Sequence, residues 1–152
     1  MKEKYIVVNY AKIETEIIKH SSEYRACDYT YEDRKYKVFT DGFIAYFIPE
    51  SSCHLDIEKF KKQELEQFIT KILNEPCETA QLSDIYRKDR TEITRKLVSA
   101  SKTVYVKDKL IRPFAKCGFE IIDPLKPIIA RLHNCLIVGI IMPLRVIGNE
   151  AF

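Results

Sequence analysis

The 152-residue chain has no tryptophan, only four glycines, and five cysteines that form no obvious pair. Each shortage excludes something. With glycine only at positions 42, 118, 139 and 148, there is no glycine-rich loop to cradle a phosphate, and neither G-x-x-x-x-G-K-[ST] nor G-x-S-x-G occurs. Cys27, Cys53, Cys77, Cys117 and Cys135 are odd in number and lack C-x-x-C or zinc-site spacing. They read as reduced, small and mostly buried, and no metal is expected. His20, His54 and His133 form no H-E-x-x-H, and no carboxylate pair stands out among the acidic residues. The chain is therefore not expected to be an enzyme or to need a cofactor. One chemical alternative stays open, an unrelated α+β enzyme working through Cys53 or through a carboxylate site that the sequence does not reveal. His54, beside Cys53, suits a nucleophile pair poorly, because catalytic partners are usually brought together by the fold.

Long apolar runs are missing too. None approaches the roughly 20 residues needed to span a bilayer. "MKEKYIVVNYAKIE" starts basic but has only a four-residue apolar run, unlike a secretory signal. A cytoplasmic location and no membrane partner are expected. The net charge of +3 is compatible with nucleic acid without requiring it.

What is present is a globular composition, 46% hydrophobic and 31% charged. A chain of this length suits one domain, burying about 70% of its unfolded surface. "KYIVVN" (4–9) reads as a strand and "YAKIETEIIKHSSEY" as a helix with Ile13, Ile17 and Ile18 on its buried side. Residues 24–49 predict a β-meander, with a polar turn at Glu32–Lys35, a second at Asp41–Gly42, and Pro49 at its end.

The middle changes character. "DIEKFKKQELEQFITKIL" (56–73) carries an N-cap in Asp56 and an amphipathic spacing of Ile57, Phe60, Leu65, Phe68, Ile69, Ile72 and Leu73. "LSDIYRKDRTEITRKLVS" (82–99) predicts a second helix, and nothing between 50 and 100 reads as a strand. The cations Arg87, Lys88, Arg90, Arg95 and Lys96 there alternate with Asp84, Asp89 and Glu92, the pattern of a salt-bridged surface helix pair or a partner-specific docking element. Strand–helix–strand order then resumes with "KTVYVK", "DKLIRPFAKC", "GFEII", "PIIARL" and "LIVGIIMPLRV". Each half thus holds a short strand, a short helix and a run of strands, an approximate internal duplication.

On these residues the chain resembles the bacterial DNA polymerase sliding clamps. "DPLKPIIARLHNCLIVGIIMPLRV" is similar to the last part of such a clamp, with its Asp-Pro-Leu-x-Pro strand start and Met-Pro-x-Arg-hydrophobic ending. "KTVYVKDKLIRPF" looks like the opening of a second half, and "VFTDGFIAYFIP" holds the Thr-Asp-Gly segment. The likeness covers about 100 of the 152 residues in the right order, although no single motif is strongly specific. It implies an α+β fold, a DNA-clamp-like single domain (1–152) of two β-α-β-β-β halves (about 1–50 and 102–147) with a helical insertion between them (about 55–99). The chain departs from the pattern in four ways. It has one domain where clamps have three, Phe43-Ile44 where His-Arg is usual, the insertion itself, and six residues beyond Val146.

The resemblance implies sites as well. The Met-Pro-x-Arg ending and a neighbouring domain's Thr-Asp-Gly segment would form a cleft for short linear motifs of replication or repair proteins. Its walls here would be Ile141, Met142, Pro143, Leu144, Arg145 and Val146, with Thr40, Asp41, Gly42 and Phe43. The chemistry is reasonable, since Met is adaptable, Pro leaves backbone unpaired, and Arg holds an acidic group. The plainer alternative is an edge strand whose arginine reaches water. Clamp helices line the hole and touch phosphates of double-stranded DNA without reading sequence. Lys109, Arg112 and Lys116, at i, i+3 and i+7, fit that role, though Pro113 would kink the helix. Lys12 and Lys19 would be their counterparts, but Glu16 and Glu23 share that face. An ordinary solvated face is the competing reading for both. A one-domain chain would need a homo-oligomer to build a ring. The other functional reading is a monomeric or dimeric clamp-fold binding module that never encircles DNA.

Overall fold

A computed structural model describes residues 8–132, 136–146 and 151–152. The strand expected over 4–9 therefore falls largely outside the described residues. The chain divides into two compact units, residues 1–74 and 75–152. The boundary lies inside the stretch read as an insertion. Among the described residues there are eleven strands and three α-helices, and the fold is mixed α and β.

In the first unit, helix α1 (Tyr10–Lys19) starts where the Asn9 side chain accepts the Lys12 amide, at 3.1 Å. Ile13 and Ile17, four residues apart, face the core, and Ile17 has no exposed surface. Ile18 was expected beside them but lies 59% exposed, because the buried stripe runs through Glu14 instead. Glu14 is 6% exposed, and its carboxylate accepts the His54 amide at 3.3 Å.

The meander forms as the alternation predicts: β1 (Arg25–Tyr31), β2 (Arg34–Thr40) and β3 (Ile44–Pro49) pair antiparallel in sequence order. Glu32 and Asp33 make the first turn with φ of 50° and 65°, the left-handed pair that a two-residue hairpin demands. A two-residue strand, β4 (Lys61–Lys62), joins the free edge of β1 in parallel. Helix α2 (Glu66–Leu73) is tied to the sheet by a 3.0 Å hydrogen bond between the Tyr29 and Thr70 hydroxyls. The core here is aromatic. Phe47 meets Tyr29 and Tyr36 edge-on, with centroids at 6.0 and 5.8 Å.

The helix expected over 56–73 is cut to its second half. Asp56 does cap, accepting the Glu58 amide at 3.0 Å, but it caps only a single 3-10 turn at Ile57–Lys59. Phe60 then packs edge-on against Phe39 at 5.1 Å, and Lys61–Lys62 pair with β1. Sheet pairing and an aromatic contact override the helical period.

The second unit corrects the sequence reading more sharply. The segment 78–98 is strand, not helix: β5 (Glu78–Leu82), β6 (Arg87–Asp89) and β7 (Glu92–Val98). A tight turn at Arg90–Thr91, with Arg90 at φ 57°, folds β6 onto β7. The expected helical insertion over 55–99 therefore holds more strand than helix, and its only α-helix is α2. Strand β8 (Thr103–Lys107) pairs with β7, helix α3 (Asp108–Ile111) follows, and β9 (Gly118–Ile121), β10 (Ile128–Arg131) and β11 (Ile137–Ile141) pair in succession. The order strand, helix, three strands expected after residue 102 is present. Strand β9 also pairs with β5, and β5 with the end of β7, and these pairings among the described residues are antiparallel. Its core is aliphatic: Leu97, Val104, Val106, Ile111, Ile121, Ile128, Ile129 and Ile141 are fully buried, with Phe114 laid over Gly139.

Candidate functional site

The cationic end of β8 and its helix is the best-defined polar feature of the second unit. Helix α3 is a single turn, and Pro113 falls within the 3-10 turn Arg112–Phe114 that continues it. Proline thus changes the helix type instead of kinking a longer helix, since its missing amide would break an α-helical bond. Ile111 and Phe114 are driven inward with no exposed surface, which leaves Lys109, Arg112 and Lys116 exposed.

Asp108 organises this corner. Its side chain is 10% exposed and is held from two sides. Arg112 donates through Nε at 3.0 Å and through Nη2 in a shorter contact, while Arg95 Nη1 of β7 donates at 3.3 Å. Burial pushes the carboxyl pKa up, but the hydrogen bonds from Arg112 and then Arg95 outweigh it and hold it below the usual value. Arg95 also donates to the Ser83 carbonyl at 3.1 Å, fastening β7 to the loop after β5. An open hollow of ≈ 250 Å³ lies beside this network, lined by Glu92, Ile93, Lys107, Asp108, Lys109 and Arg112. Three cations and two carboxylates share it, and Lys109 and Lys116 lie outside the ion pair that engages Arg112. Arg95 escaped the sequence reading because a helix over 82–99 put it on a solvated face. An aspartate at the strand-to-helix junction was the only available signal.

The counterpart cations in the first unit sit on α1. Lys12 and Lys19 are both exposed. Glu16 on the same helix lies 3.3 Å from His20, so this face carries both signs.

The turn Thr40-Asp41-Gly42-Phe43 satisfies its own polar groups. The Thr40 hydroxyl donates to the Ile44 carbonyl at 2.8 Å and accepts the Gly42 amide at 3.0 Å. Asp41 Oδ1 accepts the amides of Phe43 and Ile44 at 2.9 and 3.0 Å. Gly42 takes φ 94°, a conformation that favours glycine. The product is a rigid turn that presents Phe43 with 64% of its surface exposed.

The segment after β11 belongs to the second unit. Ile141 has no exposed surface and is part of the core. Met142, Pro143, Leu144 and Val146 are half-buried and Arg145 is exposed. Beyond Ile141 the chain leaves regular pairing. A bridge forms at Leu144, whose amide donates to the Tyr105 carbonyl of β8 at 2.7 Å. Strand β8 otherwise pairs only with β7 among the described residues, so its outer edge is largely open. The two expected walls lie in different units, and each stands here on its own geometry.

The four described cysteines have the character of thiols, but they are not mostly buried as expected: Cys27, Cys53 and Cys117 are half-buried and Cys77 is exposed. Burial pushes Cys27 and Cys53 up, and Cys117 up to about 11. Cys77 also reaches about 11, through burial and then its 2.9 Å hydrogen bond to Glu120. Cys135 lies outside the described residues. Among those residues no group of three or more His, Cys, Asp or Glu could hold a metal ion, and no helix is long and apolar enough to cross a membrane. The chain matches no protein family, no curated protein and no solved structure.

Proposed function

We propose that the chain is a sliding-clamp-like, non-enzymatic accessory protein of DNA replication or repair. It binds double-stranded DNA without sequence preference, as a homo-oligomer, and recruits partners through the peptide edge at 142–146. The single observation that carries this reading is the surface of Lys109, Arg112 and Lys116 at the strand-to-helix corner. All three are exposed, and the corner is held in shape by Asp108. Exposed cations, one of them held by Asp108, suit phosphate contacts, which position a protein on a duplex but carry no sequence information.

The outer edge of β8, largely open among the described residues and bridged at Leu144, favours a second reading, a monomeric or dimeric module that docks peptides and never encircles DNA. Light scattering over a range of concentrations, followed by retention on closed circular and linearised plasmid, separates the two. Growth toward about six times the 17.8 kDa chain mass, with retention lost on cutting the circle, supports the clamp. A monomer or dimer that treats both plasmids alike leaves only the docking module.

A further inference from the structure

Residue 152 does not trail away from the second unit. Lys96 of β7 and Tyr105 of β8 are directly opposite one another across the strand pair, so both side chains share one face of the sheet. Phe152 is seated on them. Its carbonyl accepts Lys96 Nζ at 2.8 Å and the Tyr105 hydroxyl at 3.1 Å, and its amide donates back to that hydroxyl at 3.2 Å. The ring lies 5.2 Å from the Tyr105 ring, and Lys96 Nζ stands 5.3 Å from the Phe152 centroid. One residue is thus gripped by its amide, its carbonyl and its ring.

We propose that Lys96 and Tyr105 form a docking site for a phenylalanine within an extended segment of a partner protein. Residue 152 fills that site in cis as a displaceable occupant. Three features of the geometry specify the ligand. Tyr105 uses its hydroxyl as both donor and acceptor, which reads a single residue's main chain in an extended segment. Lys96 adds a cation that meets the carbonyl and the ring face together, so an aromatic side chain is selected over an aliphatic one. The Tyr105 main chain already takes a strand-like partner, Leu144, so a longer segment could continue along the open edge of β8. Ala151 beside Phe152 is exposed, and the grip is centred on one residue. Residue 152 competes as part of the same chain, and a longer incoming segment gains contacts that residue 152 does not make. This inference stands without the clamp reading, because it needs neither DNA nor a ring.

The test uses the full chain and the fluorescently labelled hexapeptide Ile-Gly-Asn-Glu-Ala-Phe, read by anisotropy. Phe152→Ala removes the ring and its contacts with Tyr105 and Lys96, which weakens the occupant in cis without changing a residue of β7 or β8. That variant is expected to bind the peptide at least about tenfold more tightly than the unaltered chain, which must first release residue 152. Adding Tyr105→Phe or Lys96→Ala to Phe152→Ala is expected to abolish the gain. Equal binding to the unaltered chain and Phe152→Ala overturns the proposal, as does no binding to either up to about 10 mM. Binding that survives both added substitutions overturns it as well. A mass that doubles with concentration and reverts in Phe152→Ala would place the occupant on a second copy and contradict the assignment in cis.

Discussion

The two units use different means to stay folded, and the difference lies in their charge and in the side chains that fill their cores. The first unit carries twelve Lys and Arg against thirteen Asp and Glu, and the second carries thirteen against nine. The first is packed around rings: Tyr24, Tyr29, Tyr36, Phe39, Tyr46 and Phe47 are all buried. In the second, only Phe114 and Phe119 are buried aromatics, and branched aliphatics fill the rest. The first unit is nearly charge-balanced and closes its Thr40–Ile44 turn with its own side chains. The second concentrates positive charge and spends one buried aspartate fastening two arginines. The candidate DNA contacts of interest and the aromatic docking site both fall in the second.

Removing a ring from the first unit should have the largest effect. Phe47→Ala deletes the ring that two tyrosines meet edge-on and is expected to cost about 4 kcal/mol in urea unfolding. A cost below about 1 kcal/mol would mean that the aromatic cluster is not what holds this unit.

The second unit should fail by crowding instead. A Cβ at Gly139 would lie 2.5 Å from the Phe114 ring, so Gly139→Ala is expected to cost about 2–3 kcal/mol. A neutral result in the same unfolding assay would show that Phe114 has room to move.

Next comes the ion-pair corner. Asp108→Asn is expected to destabilise by about 1–2 kcal/mol at neutral pH, a moderate figure because Arg112 is 68% exposed and partly screened. The folded pKa of Asp108 is depressed, so its stabilisation is present above the unfolded value of about 3.9 and is lost as pH falls through the folded value. The difference between wild type and Asp108→Asn should therefore shrink below about pH 4. A gap independent of pH would contradict the charged network.

The smallest effect belongs to the first hairpin. Glu32→Asn with Asp33→Gly puts the preferred residues at both left-handed positions and is expected to stabilise by about 0.5–1 kcal/mol. A loss of stability would show that these side chains make contacts that outweigh the backbone preference.

Legibility in the sequence followed the same division. The meander at 24–49 was readable because buried and exposed residues alternate between recognisable turns. The strands from 103 to 141 were readable as short β-branched runs. The hairpin at 87–98 was not. Its turn holds Arg90–Thr91, without the Asn-Gly or Asp-Gly that marks a two-residue hairpin. Its strands are barely buried before Leu97, so no apolar alternation shows. Arg95 interrupts what little there is, and the partner that justifies it, Asp108, is 13 residues away. Ile18 failed for a related reason, since the buried stripe of α1 includes a glutamate whose partner is the amide of His54. In the candidate site, Lys109, Arg112 and Lys116 are exposed, but the helical face that grouped them is not formed, because α3 ends at Ile111 and Lys116 lies beyond the 3-10 turn. The roles of Arg95, Lys96 and Tyr105 depend on strand register, which a helical reading removes.

The most direct test of the DNA assignment is a salt titration on two short duplexes of unrelated sequence, comparing the unaltered chain with Lys109→Ala/Lys116→Ala. Equal binding to both duplexes is predicted, with log affinity falling linearly in log salt and a slope shallower by about two in the double variant. No binding at about 50 mM salt, or an unchanged slope in the variant, would contradict the assignment of DNA to this surface.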